Sequence, residues 1–369
     1  TIDLPERDDT ARAPTLAADE VAAPERDDFA GRAEALLVDM PPPLPVDWRT
    51  EQVASTPAPL VGAGLGLFGL REPPFVNRSR ECETIWEALR EVVEQETLRS
   101  VLITGEAGTG KSRLAGWMAT RAHEVGAAQV VRAVHTAGGG PNEGLRGALE
   151  EALRTLKMER GAVFDYLQQN LPPLQDGDDD WLVRDARGLT EFLRPTDDGA
   201  DEVDGPRYRF SSADQKRALV VRTLGRLARR RPVVLWVDDL QWGRETLGLL
   251  EHLRQVADPP DRLLVVATVR SDLLQERHDL RERFDTLAEA ESTGRLPLEP
   301  LSKEHQRALL MDLLPLEEEL ADQLAARTEG HPLFAMQLLG HWIEEDAIAM
   351  SRSGFRVAGE RELDVPEDV

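Results

Sequence analysis

The sequence predicts an α/β fold with a parallel sheet at its centre, and three observations carry that expectation. Short apolar runs of strand type recur along the chain and are continuous rather than alternating, as strands buried on both faces must be. Helical periodicity separates most of them, which is what crossovers between parallel strands require. After Leu301 the sequence becomes helical only, so a small all-helical lid is expected to follow the core.

In chain order, residues 1–70 carry 13 acids against five bases, a duplicated PERDD string at 5–9 and 24–28, and the proline run at 41–45. That composition cannot bury a core and predicts a disordered acidic linker, with 61–70 as a flexible apolar loop. Ile85, Leu89, Val92 and Val93 then fall on one face of an amphipathic helix. Strands are expected at 101–104, 129–134, 233–237, 263–269 and, weakly, 295–301. Residues 174–204 hold 11 acids against three bases and predict a solvated acidic insertion. Asp176, Asp178, Asp179 and Asp180 within it lack the glycine turn and terminal glutamate of a calcium loop. The expected division is thus a linker at 1–70, a core at 71–300, a lid at 301–348, and the start of a further segment at 349–369.

Gly105, Glu106, Ala107, Gly108, Thr109, Gly110, Lys111 and Ser112 spell GEAGTGKS, directly after one predicted strand and before a helix. The spacing matches G-x-x-x-x-G-K-[ST], a loop whose glycines let successive N–H groups face a phosphate at a helix N-terminus. Lys111 is then expected to reach the β- and γ-phosphates, and the Ser112 hydroxyl to ligate Mg2+. Residues 233–239 read VVLWVDD, an apolar strand ending in two acids. Ligands of open parallel sheets bind at the carboxyl ends of strands, so Asp238 is the expected magnesium-side carboxylate. Asp239 is the expected general base for the attacking water. Arg270 ends the next strand and is expected to sense the γ-phosphate. Only four lysines, Lys111, Lys157, Lys216 and Lys303, stand among 44 basic residues, which makes a well-placed lysine informative.

The 68 acidic residues give a net charge of −24, which disfavours nucleic acid and anionic membrane surfaces as partners. The single cysteine, Cys82, cannot form an internal disulfide and reads as a small buried hydrophobe. With no signal segment and no long apolar run, a cytoplasmic location is expected. The absence of an initiating Met suggests a fragment of a longer protein.

In order, the chain shows FVNR at 75–78, GEAGTGKSRLA at 105–115, VVLWVDDLQW at 233–242, ATVR at 267–270, LEPLS at 298–302 and TEGHPLF at 328–334. Together these resemble the AAA-like STAND group of signal-transduction P-loop NTPases, especially ATPase modules fused to bacterial serine/threonine kinases, nucleotide cyclases and LuxR-type regulators. The resemblance implies ATP with Mg2+, a nucleotide-dependent homo-oligomer, and fused or associated signalling domains. It implies that the loop through Arg113 binds nucleotide, that Val76 and Arg78 lie near adenine and ribose, and that Pro332 packs on the nucleotide from the lid. The family usually has FVGRE, so Asn77 must tolerate a turn built for glycine, as asparagine does best. DDLQW is usually followed by Ala-Asp, and here by Gly243 and Arg244. The closing LDVPEDV resembles the opening of a winged helix.

An ATP-driven molecular switch with slow hydrolysis is the leading reading. The alternatives are an initiator-like ATPase that grips DNA, a nucleotide-responsive scaffold without hydrolysis, and, remotely, a small-molecule phosphotransferase. Neither H-R-D-x-x-x-x-N nor D-F-G occurs, so a kinase would have to lie outside this chain.

Overall fold

The computed structural model describes residues 44, 75–140, 143–174, 179–196, 207–351 and 353–358. The expectations for 1–70 (Leu44 apart) and for 359–369 therefore lie outside the described residues.

Five parallel strands form one sheet: β1 (Leu98–Gly105), β2 (Gln129–Val134), β3 (Val233–Asp238), β4 (Leu263–Arg270) and β5 (Thr293–Pro297), in the order β2-β3-β4-β1-β5. The apolar runs are continuous because both faces are covered. On β3, Val233, Leu235 and Val237 enter one apolar cluster while Val234 and Trp236 enter the other. β4 divides likewise, with Val265 and Ala267 on one face and Leu264 and Val266 on the opposite one. Helices α1 (Ser79–Gln95) and α2 (Lys111–Glu124) cover the second face, and Ile85, Leu89 and Val92 of α1 are buried there as their spacing predicts. Cys82 is fully buried in the same cluster.

The first face is covered by α3 (Gly144–Ala152), α4 (Arg160–Asn170), α5 (Asp179–Leu193), α6 (Ala213–Arg230), α7 (Arg244–Gln255) and α9 (His278–Ala288), with the short α8 (Ser271–Glu276) leaving β4. Helix α5 lies inside the stretch expected to be a solvated acidic insertion and corrects that expectation for its own residues, while 175–178 (with Asp176 and Asp178) and 197–204 lie outside the described residues. Ala186, Leu189, Phe192 and Leu193 put a helical face into the core. One of its acids, Asp185, is buried between Arg222 at 2.7 Å and Arg226 at 3.0 Å, so part of the negative charge balances a partly exposed and a fully buried arginine. The Arg226 side chain is 0% exposed. Asp185→Ala is therefore expected to cost about 3 kcal/mol, because it strands a buried guanidinium. Denaturant unfolding measures this, and a change below about 1 kcal/mol would contradict it.

Beyond the sheet, α10 (Lys303–Leu313), α11 (Glu318–Thr328) and α12 (Pro332–Glu344) pack around Leu310, Leu324, Leu338 and Trp342. This is the helical lid. A two-stranded antiparallel ribbon, β6 (Ile348–Met350) and β7 (Phe355–Val357), follows it, so the chain does not stay purely helical after Leu301. Gly330 joins α11 to α12 with φ +85°, and a Cβ there would meet the Leu301 carbonyl at 2.3 Å. Only glycine lets the lid turn this tightly against the segment that enters it. No helix among the described residues is long and apolar enough to cross a membrane.

Candidate functional site

The carboxyl ends of β1, β4 and β3 stand side by side, and the chemistry-bearing residues leave from them. Gly105, the last residue of β1, pairs in register with Arg270, the last of β4. The loop from Glu106 to Gly110 then turns into α2 through two left-handed glycines, Gly108 at φ +78° and Gly110 at φ +96°. Its Glu106 carbonyl accepts from Thr109 Oγ1 at 2.9 Å and Lys111 Nζ at 2.6 Å, closing the loop on itself. Ala107 is exposed on the loop, and Ser112 and Arg113 stand exposed in the first turn of α2.

Lys111 is only 5% exposed. Burial pushes its ammonium below the ordinary lysine range, against the pull of Asp239, Asp272 and Asp238, while Arg270 adds to the downward push. The phosphate-loop lysine, both strand-end acids and the strand-end arginine thus form one electrostatic cluster.

Asp238 is buried, and one carboxylate oxygen accepts from the Thr268 hydroxyl at 2.7 Å. The same hydroxyl accepts from the Asp239 N–H at 2.9 Å. Asp239 itself is left-handed, at φ 54° and ψ 50°, and opens a 3-10 turn over Leu240–Trp242. Its Oδ1 accepts from Gln241 Nε2 at 2.8 Å. Arg270 donates from Nη2 to Asp272 Oδ2 at 2.5 Å, a bond that raises the guanidinium pKa and lowers that of the carboxyl. The arginine expected to sense phosphate is held by its own neighbour. His135, just past β2, donates its N–H to the Asp238 carbonyl at 3.1 Å, and burial lowers its imidazole pKa.

The lid meets the loop directly. Leu333 N–H donates to the Gly108 carbonyl at 3.3 Å, and His331 Nε2 lies 3.1 Å from Glu106 Oε2. Pro332, between them, is the first residue of α12. Arg78 spans the same region, donating to the Glu299 carbonyl at 2.7 Å, the Thr109 carbonyl at 3.4 Å and Glu81 Oε1 at 3.0 Å. Val76 packs against the apolar cluster of the lid. Asn77 is left-handed at φ 51° and reaches His305 of the lid at 3.1 Å. Its residue type already pointed to that conformation.

Thr268, Gln241, Asp272 and His135 belong to this site and were not singled out from the sequence. Thr268 had a legible signal, as a lone hydroxyl in an otherwise apolar strand whose end faces the loop. Gln241 had a weaker one, a lone amide after the acid pair.

The donor set suits a metal-bound phosphate. A serine hydroxyl and a buried carboxylate are hard oxygen ligands, a desolvated lysine supplies positive charge, and α2 begins without a side-chain cap on its first N–H groups.

Residues 74–266 match the family model of the AAA ATPase domain. No curated protein matches the chain at a significant level. Similar solved structures include the Aeropyrum pernix ORC1 protein in complex with DNA, at 14% identity and TM-score 0.41 over 74% of this chain and 61% of that one. The Walker-type ATPase of Pyrococcus abyssi matches at 18% identity and TM-score 0.41 over 76% and 72%. A Pyrococcus horikoshii signal-transduction ATPase with a tetratricopeptide repeat sensor matches at 18% identity and TM-score 0.38, over 75% of this chain and 32% of that one. The chain spans less than two thirds of the first and the last of these.

Proposed function

As the chain belongs to the AAA ATPase domain family, we propose that it is a Mg2+-dependent, slowly hydrolysing ATP switch of the STAND type, working as one module of a larger bacterial signalling or transcriptional regulator. The observation that carries the switch reading is the bond between lid and loop, Leu333 N–H to Gly108 carbonyl, beside the His331–Glu106 contact. A ligand that rearranges the loop must act on the lid. In this reading residues 71–300 are the ATPase core and 301–348 the lid that reports its state.

Each residue then has a task. Gly105 to Arg113 cradle the phosphates, with Lys111 neutralising the β- and γ-oxygens. Ser112 and Asp238 hold Mg2+, which when bound offsets the charge on the phosphate oxygens. Asp239 takes the proton of the attacking water. Arg270 exchanges its bond to Asp272 for one to the γ-phosphate, so carboxylate and phosphate compete for a single guanidinium. Arg78 and Pro332 hold the loop and the lid against the nucleotide, and Val76 the lid-side wall. Recognition of ATP, and association with kinase, cyclase or regulator domains, rests on the motif resemblance.

The test is nucleotide binding, turnover and particle size with ATP and with ADP. Turnover should be detectable and should vanish when Mg2+ is chelated, and particle size should differ between the two nucleotides. Equal affinity and equal size with ATP, ADP and no Mg2+ would remove the switch. DNA retention that weakens steeply with salt would favour the initiator-like reading instead.

A further inference from the structure

We infer that Gln241 is a positioning residue that ties the reacting carboxylate to the end of β4; this rests on the ATPase reading above. Gln241 is 2% exposed, an expensive place for an amide unless both of its ends are satisfied. Both are. Its Oε1 accepts from the Arg270 N–H at 3.2 Å, and its Nε2 donates to Asp239 Oδ1 at 2.8 Å. The partners dictate this orientation, since a backbone N–H can only donate and an ionised carboxylate can only accept. The Gln241 carbonyl in turn accepts from Arg277 Nη1 at 3.3 Å, which anchors the turn on which the side chain sits.

Only an amide of this length offers an acceptor to β4 and a donor to Asp239 at once. Glutamate keeps the acceptor but sets a second carboxylate against the first, and methionine keeps the length and loses both bonds. Thr268, also on β4, already holds the Asp239 backbone N–H at 2.9 Å. Backbone and carboxylate of Asp239 are therefore both referred to β4, the strand that ends in Arg270, rather than to β3, from which Asp239 emerges. The Nε2 bond occupies Oδ1 and restrains carboxylate rotation, leaving Oδ2 for the attacking water. Gln241 thus makes turnover, rather than binding, depend on where the end of β4 lies.

Gln241→Met and Gln241→Glu, measured in the full chain, test this by separating ATP affinity from kcat. Both variants should keep affinity within about twofold while kcat falls about tenfold or more, with glutamate the more damaging. A kcat of Gln241→Met within about twofold of the unaltered chain would overturn the inference and leave the ATPase reading standing. Parallel losses of affinity and kcat in both variants would also overturn it, since that pattern belongs to a merely structural residue. Gln241→Glu keeps the acceptor for the Arg270 N–H and Gln241→Met keeps the site free of a second charge, so the two disturb the turn differently, and melting curves identify the variant that keeps its fold and decides the test. No turnover in the unaltered chain would overturn both readings.

Discussion

Lys111→Ala is expected to lower ATP affinity by about a hundredfold or more while leaving thermal stability unchanged or slightly raised. The two effects have opposite signs for one reason. The native state already bears the cost of holding this ammonium out of water, which is why burial lowers its pKa despite Asp239 and Asp272 nearby. Alanine removes that cost together with one bond, from Lys111 Nζ to the Glu106 carbonyl at 2.6 Å. That carbonyl keeps the Thr109 hydroxyl as a donor at 2.9 Å, so it is not orphaned. A fluorescent ATP analogue titrated against both proteins, with melting curves alongside, decides the matter. Affinity within about threefold of the unaltered chain would remove Lys111 from the phosphate site.

Asp239→Asn should leave ATP binding within about threefold and lower turnover by about a thousandfold. The substitution is unusually clean. Asp239 sits at φ 54° and ψ 50°, a conformation asparagine tolerates better than other side-chain-bearing residues. The amide oxygen can still accept from Gln241 Nε2, and the backbone N–H still meets Thr268 Oγ1. Only the charge and the basicity are lost. Single-turnover hydrolysis with equilibrium binding measures both quantities, and turnover within about tenfold of the unaltered chain would assign the base elsewhere.

Much of the fold was legible because burial on both faces writes strands as unbroken apolar runs. The run expected at 129–134 is β2 (Gln129–Val134) residue for residue. β1 extends beyond 101–104 at both ends, because Leu98, Arg99 and Ser100 find partners in Leu263, Leu264 and Val265 that their own residue types do not announce. Helix α5 was hidden by its surroundings, where the acid excess of 174–204 outweighed Ala186, Leu189, Phe192 and Leu193 at helical spacing. The β6–β7 ribbon has strands of three residues, too short for any periodicity to appear. In the candidate site, the glycines and Lys111 are legible because the phosphate-loop pattern is eight consecutive residues, and the acid pair because it closes an apolar strand run; the structure brings both to neighbouring strand ends. Thr268 and Gln241 have partners set by the sheet. The Thr268 hydroxyl meets an acid 30 residues back in the chain, and only the parallel pairing of β3 with β4 brings the two together.

Three carbonyls of the phosphate loop, on Glu106, Gly108 and Thr109, accept bonds from Lys111, from the Leu333 N–H and from Arg78. A peptide unit is planar, so fixing one residue's carbonyl fixes the direction of the next residue's N–H. In the switch proposed above, the peptide plane at Gly108 is thus one point at which lid and loop are coupled, beside the His331–Glu106 contact. Thermodynamic reciprocity then makes the coupling run equally in both directions. On that proposal, whatever free energy a bound anion gains from that plane's orientation the lid contact gains from the anion, so a partner that bound α12 would change nucleotide affinity by the same factor by which nucleotide changed the partner's.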